Sequence, residues 1–237
     1  MSATDVDVIR WGPERARTAP WKGDRRVAYL TPVPEAPVPS AAFVHRVISE
    51  LAARGFSRVV TAALSADEQA GFLEAGFEVQ ERLHLLGRDL HRLPSSDSRR
   101  LRRAAREDRP AVLRIDARAF PPFWQLDEDG LDEALGATPH ARFRVAGPVG
   151  GAVAYAVTGR AARRGFLQRV AVHPDHRRQG LGRALVVDAL RWLRRWGVHH
   201  AVVNTQTGND TALALYQSLG FRHEPAGLSV LSIGLPR

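Results

Sequence analysis

Between Val170-Ala-Val172 and an amphipathic stretch beginning at Leu181 lies His173-Pro-Asp-His-Arg-Arg-Gln-Gly-Leu-Gly182, and this segment limits the fold more than any other. An apolar β-branched run, a loop holding two closely spaced glycines, and apolar residues Leu181, Leu185, Ala189, Leu193 and Trp196 at helical spacing predict a strand turning sharply into a helix. Asp188, Arg191 and Arg195 share the polar side of that helix. Without Cβ atoms, Gly180 and Gly182 let the backbone turn tightly and bring its N–H groups near an anion. The helix that follows aims the positive end of its dipole at the same point, and Arg177 and Arg178 add charge. Several successive amides suit a diphosphate better than a single carboxylate. The spacing excludes a dinucleotide fingerprint, because Arg-Ala-Leu rather than a third glycine follows Gly182, and no Gly-Lys-Ser/Thr ending marks a nucleoside-triphosphate loop.

The flanking sequence extends the alternation of strands and helices. Helical segments are expected at Asp116 to Trp124 and Gly130 to Ala137, around an aromatic turn, and strands at Arg142 to Ala146, Gly151 to Thr158 and Phe166 to Val172. Gly197 closes the long helix, Ala201 to Thr205 reads as a strand, Thr211 to Leu219 as a short helix ending at Gly220-Phe221, and Leu228 to Ile233 as a last strand. The absence of cysteine among 237 residues excludes disulfides, thiolate metal sites and a cysteine nucleophile. No apolar run reaches the roughly 18 residues of a membrane helix, and the first residues lack signal-peptide blocks, so a cytoplasmic protein without a membrane partner is expected. The net charge of +9 comes almost entirely from arginine and calls for an anionic partner or a solvated basic surface.

A second motif follows at Asn209-Asp-Thr-Ala-Leu-Ala-Leu-Tyr-Gln-Ser-Leu-Gly-Phe221. With the Arg-x-x-Gly-x-Gly loop it resembles the GNAT superfamily of acetyl-CoA-dependent N-acetyltransferases, over roughly residues 105 to 237. The resemblance implies an α/β fold of α+β-like character, with a central mixed, mostly antiparallel, splayed sheet flanked by helices. It implies acetyl-CoA as cofactor and no metal. Val170, Ala171 and Val172 would pair with the pantetheine arm, and Arg177, Arg178, Gln179, Gly180, Leu181, Gly182 and Arg183 would cradle the pyrophosphate. Asn209 would bond the pantetheine or cap its helix. The acceptor would be an amine, on a small molecule or a protein N-terminus, and nucleic acid is not the expected partner. A non-catalytic acyl-CoA-binding or nucleic-acid-associated module is the alternative.

Transfer of acetyl to an amine needs a neutral nucleophile held against the thioester, donors for the oxyanion and a proton for the departing thiolate. Backbone amides near Val170 to Val172 are candidates for the oxyanion, and Tyr216 matches the family's general acid. Ribosomal-protein alanine acetyltransferases of this superfamily carry a glutamate twelve residues before that tyrosine, where this chain has Asn204. Asp127, Glu128 and Asp129 are substitutes only if their segment folds over the acceptor. His173 and His176 read as loop residues, which leaves an ordered water chain as the expected base.

Residues 27 to 86 repeat the order of the C-terminal motifs: strand Val27 to Leu30, loop, helix Ala41 to Arg54, Gly55, strand Arg58 to Ala62, short helix, Gly76-Phe77. Gly55 and Gly76 are 21 residues apart, Gly197 and Gly220 are 23 apart, and Phe72 precedes Gly76 by four as Tyr216 precedes Gly220. The corresponding loop, Thr31 to Ser40, holds four prolines and Glu35, which removes amides and adds the wrong charge for a phosphate. The expectation is a tandem of GNAT-like halves, a layout resembling the mycothiol synthases: a degenerate, non-catalytic domain at 1–95 and a catalytic domain at 96–237. The boundary is placed by Leu90 to Pro110, where Arg99, Arg100, Arg102, Arg103 and Arg106 read as a solvated linker helix without aromatic residues to stack bases.

Overall fold

The computed structural model describes residues 7–22, 24–95 and 101–236. Along the chain run strands β1 (Asp7–Trp11), β2 (Glu14–Trp21) and β3 (Asp24–Pro32), helix α1 (Ala41–Ala53), β4 (Arg58–Leu64), α2 (Ala66–Glu74) and β5 (Glu78–Asp89). Next come β6 (Leu101–Arg103), α3 (Arg109–Ala119), α4 (Glu128–Gly136), β7 (His140–Ala146), β8 (Ala154–Ala161) and β9 (Arg164–Val172). The last elements are α5 (Leu181–Arg195), β10 (His200–Gln206), α6 (Asp210–Ser218), β11 (Arg222–His223) and β12 (Leu228–Gly234).

The chain divides into two compact units: one takes the chain up to His84, Gln206–Gly208 and the chain from Pro225; the other takes Leu85–Thr205 and Asn209–Glu224. The division falls inside β5, and β12 groups with the first unit because it ladders antiparallel with β4 and with the Glu78–Leu83 part of β5.

In the first unit the strand order is β1, β2, β3, β4, β12, β5, antiparallel except for the parallel β3–β4 ladder. Phe43, Val44, Val47 and Leu51 form the buried face of α1 and pack with Leu30, Val59, Leu64, Phe72 and Leu231. Ser40 starts α1 by accepting the Phe43 N–H at 3.2 Å, and a Ser65–Glu68 capping box starts α2.

In the second unit the order is β5, β10, β9, β8, β7, β6. β8 is buried on both faces. Tyr155 and Val157 pack with Val112 and Ile115 of α3 and Leu131 of α4, while Ala154 and Ala156 pack with Leu185 of α5. The strand at Gly151 to Thr158 was expected too early: Gly151 closes a turn on Pro148 O at 3.0 Å, and regular pairing runs from Ala154 to Ala161.

The expected linker helix is also corrected. Residues 101–103 form an edge strand paired with β7, and Arg102 forks onto the fully buried Asp108 at 2.6 and 2.7 Å while bonding Gly147 O and Pro148 O. Arg99 and Arg100 lie outside the described residues. The Arg102 fork, assisted by the Ala105 and Gly150 amides, holds the Asp108 carboxyl at about 2, below its ordinary 3.8. A carboxyl lowered on folding contributes stability that is complete above the unfolded value and lost as pH falls through the folded one, here about 2 kcal/mol. Asp108→Asn is therefore expected to lower urea-unfolding stability by at least about 2 kcal/mol at neutral pH, with the gap to wild type closing between about pH 4 and pH 2.

Candidate functional site

β9 builds the site through an irregularity in its pairing. Val157 faces Arg169 and Thr158 faces Leu167, so Gln168 is an extra residue bulged out of the β8–β9 ladder. Strict alternation would place Leu167 and Arg169 on one face. With the bulge, Leu167, Val170 and Val172 pack on the α5 side while Arg169 and Ala171 turn to the α3 side. The other edge of β9 runs parallel to β10 only through His200↔Arg164, Ala201↔Gly165 and Val202↔Phe166. Beyond those pairs no ladder joins the two strands among the described residues, and the backbone of 167–172 is paired, around the Gln168 bulge, with β8 alone.

At the C-terminal end of β9, Pro174–His176 form a single 3-10 turn, followed by the exposed Arg177, Arg178 and Gln179. Arg178 has φ of 62° and Gly180 of 78°, left-handed conformations that turn successive amides toward one point. A glycine takes this conformation without steric cost, whereas an arginine does so under strain of a kind that gathers at ligand-binding loops. Gly180 is the N-cap of α5; no side chain caps that end and no acidic residue occupies its first turn. The Leu181, Gly182 and Arg183 amides therefore lack helical partners and present the positive end of a fifteen-residue helix. A Cβ at Gly182 would lie 3.3 Å from Leu215, so α6 abuts the first turn of α5.

α6 carries the remaining sequence-identified residues. Asn209 caps it, its Oδ1 accepting the Ala212 N–H at 3.1 Å. Tyr216 is 6% exposed, packs its ring edge-on to Phe221 at 5.6 Å and shares a cluster with Val170. Burial pushes its phenol up to about 12, while the Arg169 guanidinium pulls in the opposite direction. Among the described residues no hydrogen bond engages its hydroxyl. β9, the loop and α6 are thus brought together within one unit.

Several of the other candidates have structural tasks. Asp127 caps α4 by accepting the Gly130 N–H at 2.8 Å, Glu128 pairs with Arg109 at 2.8 Å, and Asp129 is exposed. His173 accepts the Asp175 N–H at 3.3 Å and stands edge-on to His176. Asn204 is exposed on the part of β10 that has left β9.

Sequence spacing carried no sign of a buried network beside Val170. Asp116 accepts two bonds from Arg169 at 2.8 and 2.9 Å, the Leu126 N–H at 2.7 Å and the Tyr155 hydroxyl. Arg169 also bonds Trp124 O at 2.5 Å and stacks over Phe120 at 3.6 Å. Asp116 and Tyr155 are fully buried, and burial raises the Tyr155 phenol strongly. The network ties the Phe120–Leu126 segment to the strand that lines the site.

The first unit repeats this architecture with a different helix start. β3 and β4 are parallel across α1, as β9 and β10 are across α5. The helix ends agree: Phe56 N bonds Leu51 O and Val198 N bonds Leu193 O, each at 3.1 Å, while Phe77 N bonds Phe72 O at 3.0 Å and Phe221 N bonds Tyr216 O at 3.1 Å. Phe72 meets Phe77 edge-on at 5.2 Å, the counterpart of Tyr216 and Phe221. The α1 start, however, is already filled. Ser40 caps it, and the Glu14 carboxylate accepts the Ser40 N–H at 2.5 Å and the Ser40 hydroxyl at 3.1 Å.

Comparison with known proteins agrees with this architecture. The [ribosomal protein bS18]-alanine N-acetyltransferase of Escherichia coli (strain K12) is 41% identical over 68 residues, 29% of this chain and 46% of that protein. The mycothiol acetyltransferase of Amycolatopsis mediterranei (strain U-32) is 33% identical over 135 residues, 50% of this chain and 44% of that one. The chain thus spans under half the length of the curated relatives it matches. Its fold is that of a tandem GNAT protein from the clavulanic acid biosynthesis pathway, with a TM-score of 0.72 at 14% identity over 97% of this chain and 82% of that one. Residues 104–221 match the acetyltransferase (GNAT) family, and it is a domain of this family that the chain carries there.

Proposed function

We propose that the chain transfers an acetyl group from acetyl-CoA to a primary amine, using the loop from Arg177 to Arg183, the free edge of β9 and Tyr216. The observation that carries this reading is an uncapped helix start with convergent amides, set at the end of a strand whose edge has parted from its neighbour. The donor set fits the coenzyme: amides of Gly180, Leu181 and Gly182 with Arg177, Arg178 and Arg183 suit its pyrophosphate, and extended backbone at Val170 to Val172 suits its amide-bearing arm. When bound, acetyl-CoA supplies an activated thioester.

Backbone amides near Val170 to Val172 would be the donors facing the thioester carbonyl of the bound coenzyme. A phenol near 12 facing a thiol of about 8.5 keeps its proton, so Tyr216 would assist chiefly by donating a hydrogen bond to the departing sulfur, which takes its proton from solvent. The proton leaving the amine travels through ordered water, since Asp127 and Glu128 are engaged elsewhere and position 204 holds an amide. The acceptor is a small amine or a protein N-terminus.

In this reading residues 1–95 supply a non-catalytic copy and residues 96–237 the catalytic domain. The Glu14 carboxylate at the α1 start and Phe72 in place of a tyrosine support the first assignment. Titration calorimetry with coenzyme A tests the site. Wild type is expected to bind, and Gly180→Val, which forces a β-branched residue to φ of 78°, to bind about tenfold more weakly or worse. Absence of binding by wild type, or equal binding by the variant, would overturn the reading.

A further inference from the structure

A basic surface that includes an exposed aromatic forms at the far end of α5 from the loop. Trp196, the C-cap residue, is 57% exposed, and the Arg160 guanidinium lies 4.8 Å over its ring. Arg191, Arg194 and Arg195, on the last turns of α5, line an open cleft of about 350 Å³. The β8–β9 hairpin adds Arg163 and Arg164. It is held against this end of the helix: a Cβ at Gly165 would lie 2.6 Å from Leu193, and Arg163 O accepts the His199 N–H at 3.4 Å. The Arg163 side chain contacts the His199 ring, which stacks on His91.

Among the described residues none of these six guanidinium groups is ion-paired with a carboxylate, whereas Arg102, Arg109, Arg142, Arg144 and Arg169 are. The Arg160 Nε–H is buried and without a partner. Complementing the negative end of the helix dipole accounts for cations at the end of α5. It does not account for three more arginines delivered by a separate hairpin, nor for a large aromatic left in solvent beneath one of them.

We propose that this surface binds single-stranded nucleic acid, with the arginines of α5 and the hairpin on its phosphates and the open part of the Trp196 indole stacked on a base. Cationic side chains flanking an accessible aromatic ring are what a single strand requires, because its phosphates need neutralising and its base faces are free. An acidic polypeptide meets the charge equally well but offers Trp196 a stacking face only where it carries an aromatic side chain, whereas every nucleotide carries one. The Arg99 to Arg106 run lacked that aromatic partner; here folding brings one from α5 to arginines of the hairpin. The proposal is independent of acetyl transfer, since the surface and the Gly180–Gly182 loop occupy opposite ends of a fifteen-residue helix.

Fluorescence anisotropy with a fluorescein-labelled single strand of about twelve nucleotides tests it, titrated between about 50 and 200 mM salt. Wild type is expected to bind with a steep salt dependence. The Arg191→Gln, Arg194→Gln, Arg195→Gln triple variant is expected to reduce the slope of log affinity against log salt by about two. Trp196→Ala is expected to bind about tenfold more weakly with the slope unchanged. Circular dichroism checks that both variants fold. Three results would overturn the proposal: affinity insensitive to Trp196→Ala, equal competition by a polyglutamate peptide of matched charge, or displacement of the oligonucleotide by coenzyme A.

Discussion

Tyr216→Phe is expected to lower acetyl-transfer turnover by about 10² while coenzyme A affinity, measured by calorimetry, stays within about twofold of wild type. Phenylalanine preserves the volume and the edge-on contact with Phe221 and removes only a hydroxyl that no described residue engages. Folding stability is therefore expected to change little. In a water-excluded site a donor aimed at developing charge contributes far more than the same bond in solvent, and losing one such donor typically costs two to three orders of magnitude in rate. Burial outweighs the opposing pull of Arg169 and keeps the phenol near 12, so wild type is expected to show no loss of activity from Tyr216 ionisation below about pH 11. Thiol release from acetyl-CoA with a panel of amines measures both quantities. Turnover unchanged by the substitution would remove Tyr216 from the mechanism even if coenzyme binding holds.

The parts of the site legible in the sequence are those specified within a few residues. A β-branched run, Gly180 and Gly182, and apolar residues at helical spacing define strand, loop and helix locally, and Asn209 marks the start of α6 because its short side chain reaches the Ala212 N–H. The repeat was legible for the same reason: Gly55, Gly76, Gly197 and Gly220 all take positive φ at helix ends, and each is followed by an apolar residue that bonds back into its helix.

What the sequence did not disclose depends on partners far along the chain. Position 168 becomes a bulge only because of how β8 lies against β9, and the parting of β9 from β10 beyond Phe166 is a property of two strands 36 residues apart, spacing that a window of local periodicity does not sample. Leu101–Arg103 reads as helical by composition, yet Asp108, Gly147 and Pro148 consume the Arg102 guanidinium and the segment becomes an edge strand. The return of β12 to β4 leaves no local mark either, because it pairs Ser229 with Leu64 across most of the chain.

Asp116→Ala tests the largest of these hidden features and is expected to destabilise the protein by about 3–5 kcal/mol, read from urea or thermal unfolding. Asp116 is fully buried and serves Arg169, Tyr155 and the Leu126 amide together. Removing it leaves a nearly buried guanidinium with no counter-charge and strands the Tyr155 hydroxyl and one backbone N–H in the interior; the desolvation of those groups, rather than the lost attraction itself, sets the size of the effect. Asp116→Asn keeps one acceptor oxygen and is expected to fall between alanine and wild type. Asp116→Ala with Arg169→Met is expected to be more stable than Asp116→Ala alone, because the orphaned charge is gone and an apolar side chain of similar length remains against Phe120. Additive losses in the double variant would mean that Arg169 finds another partner when Asp116 is removed.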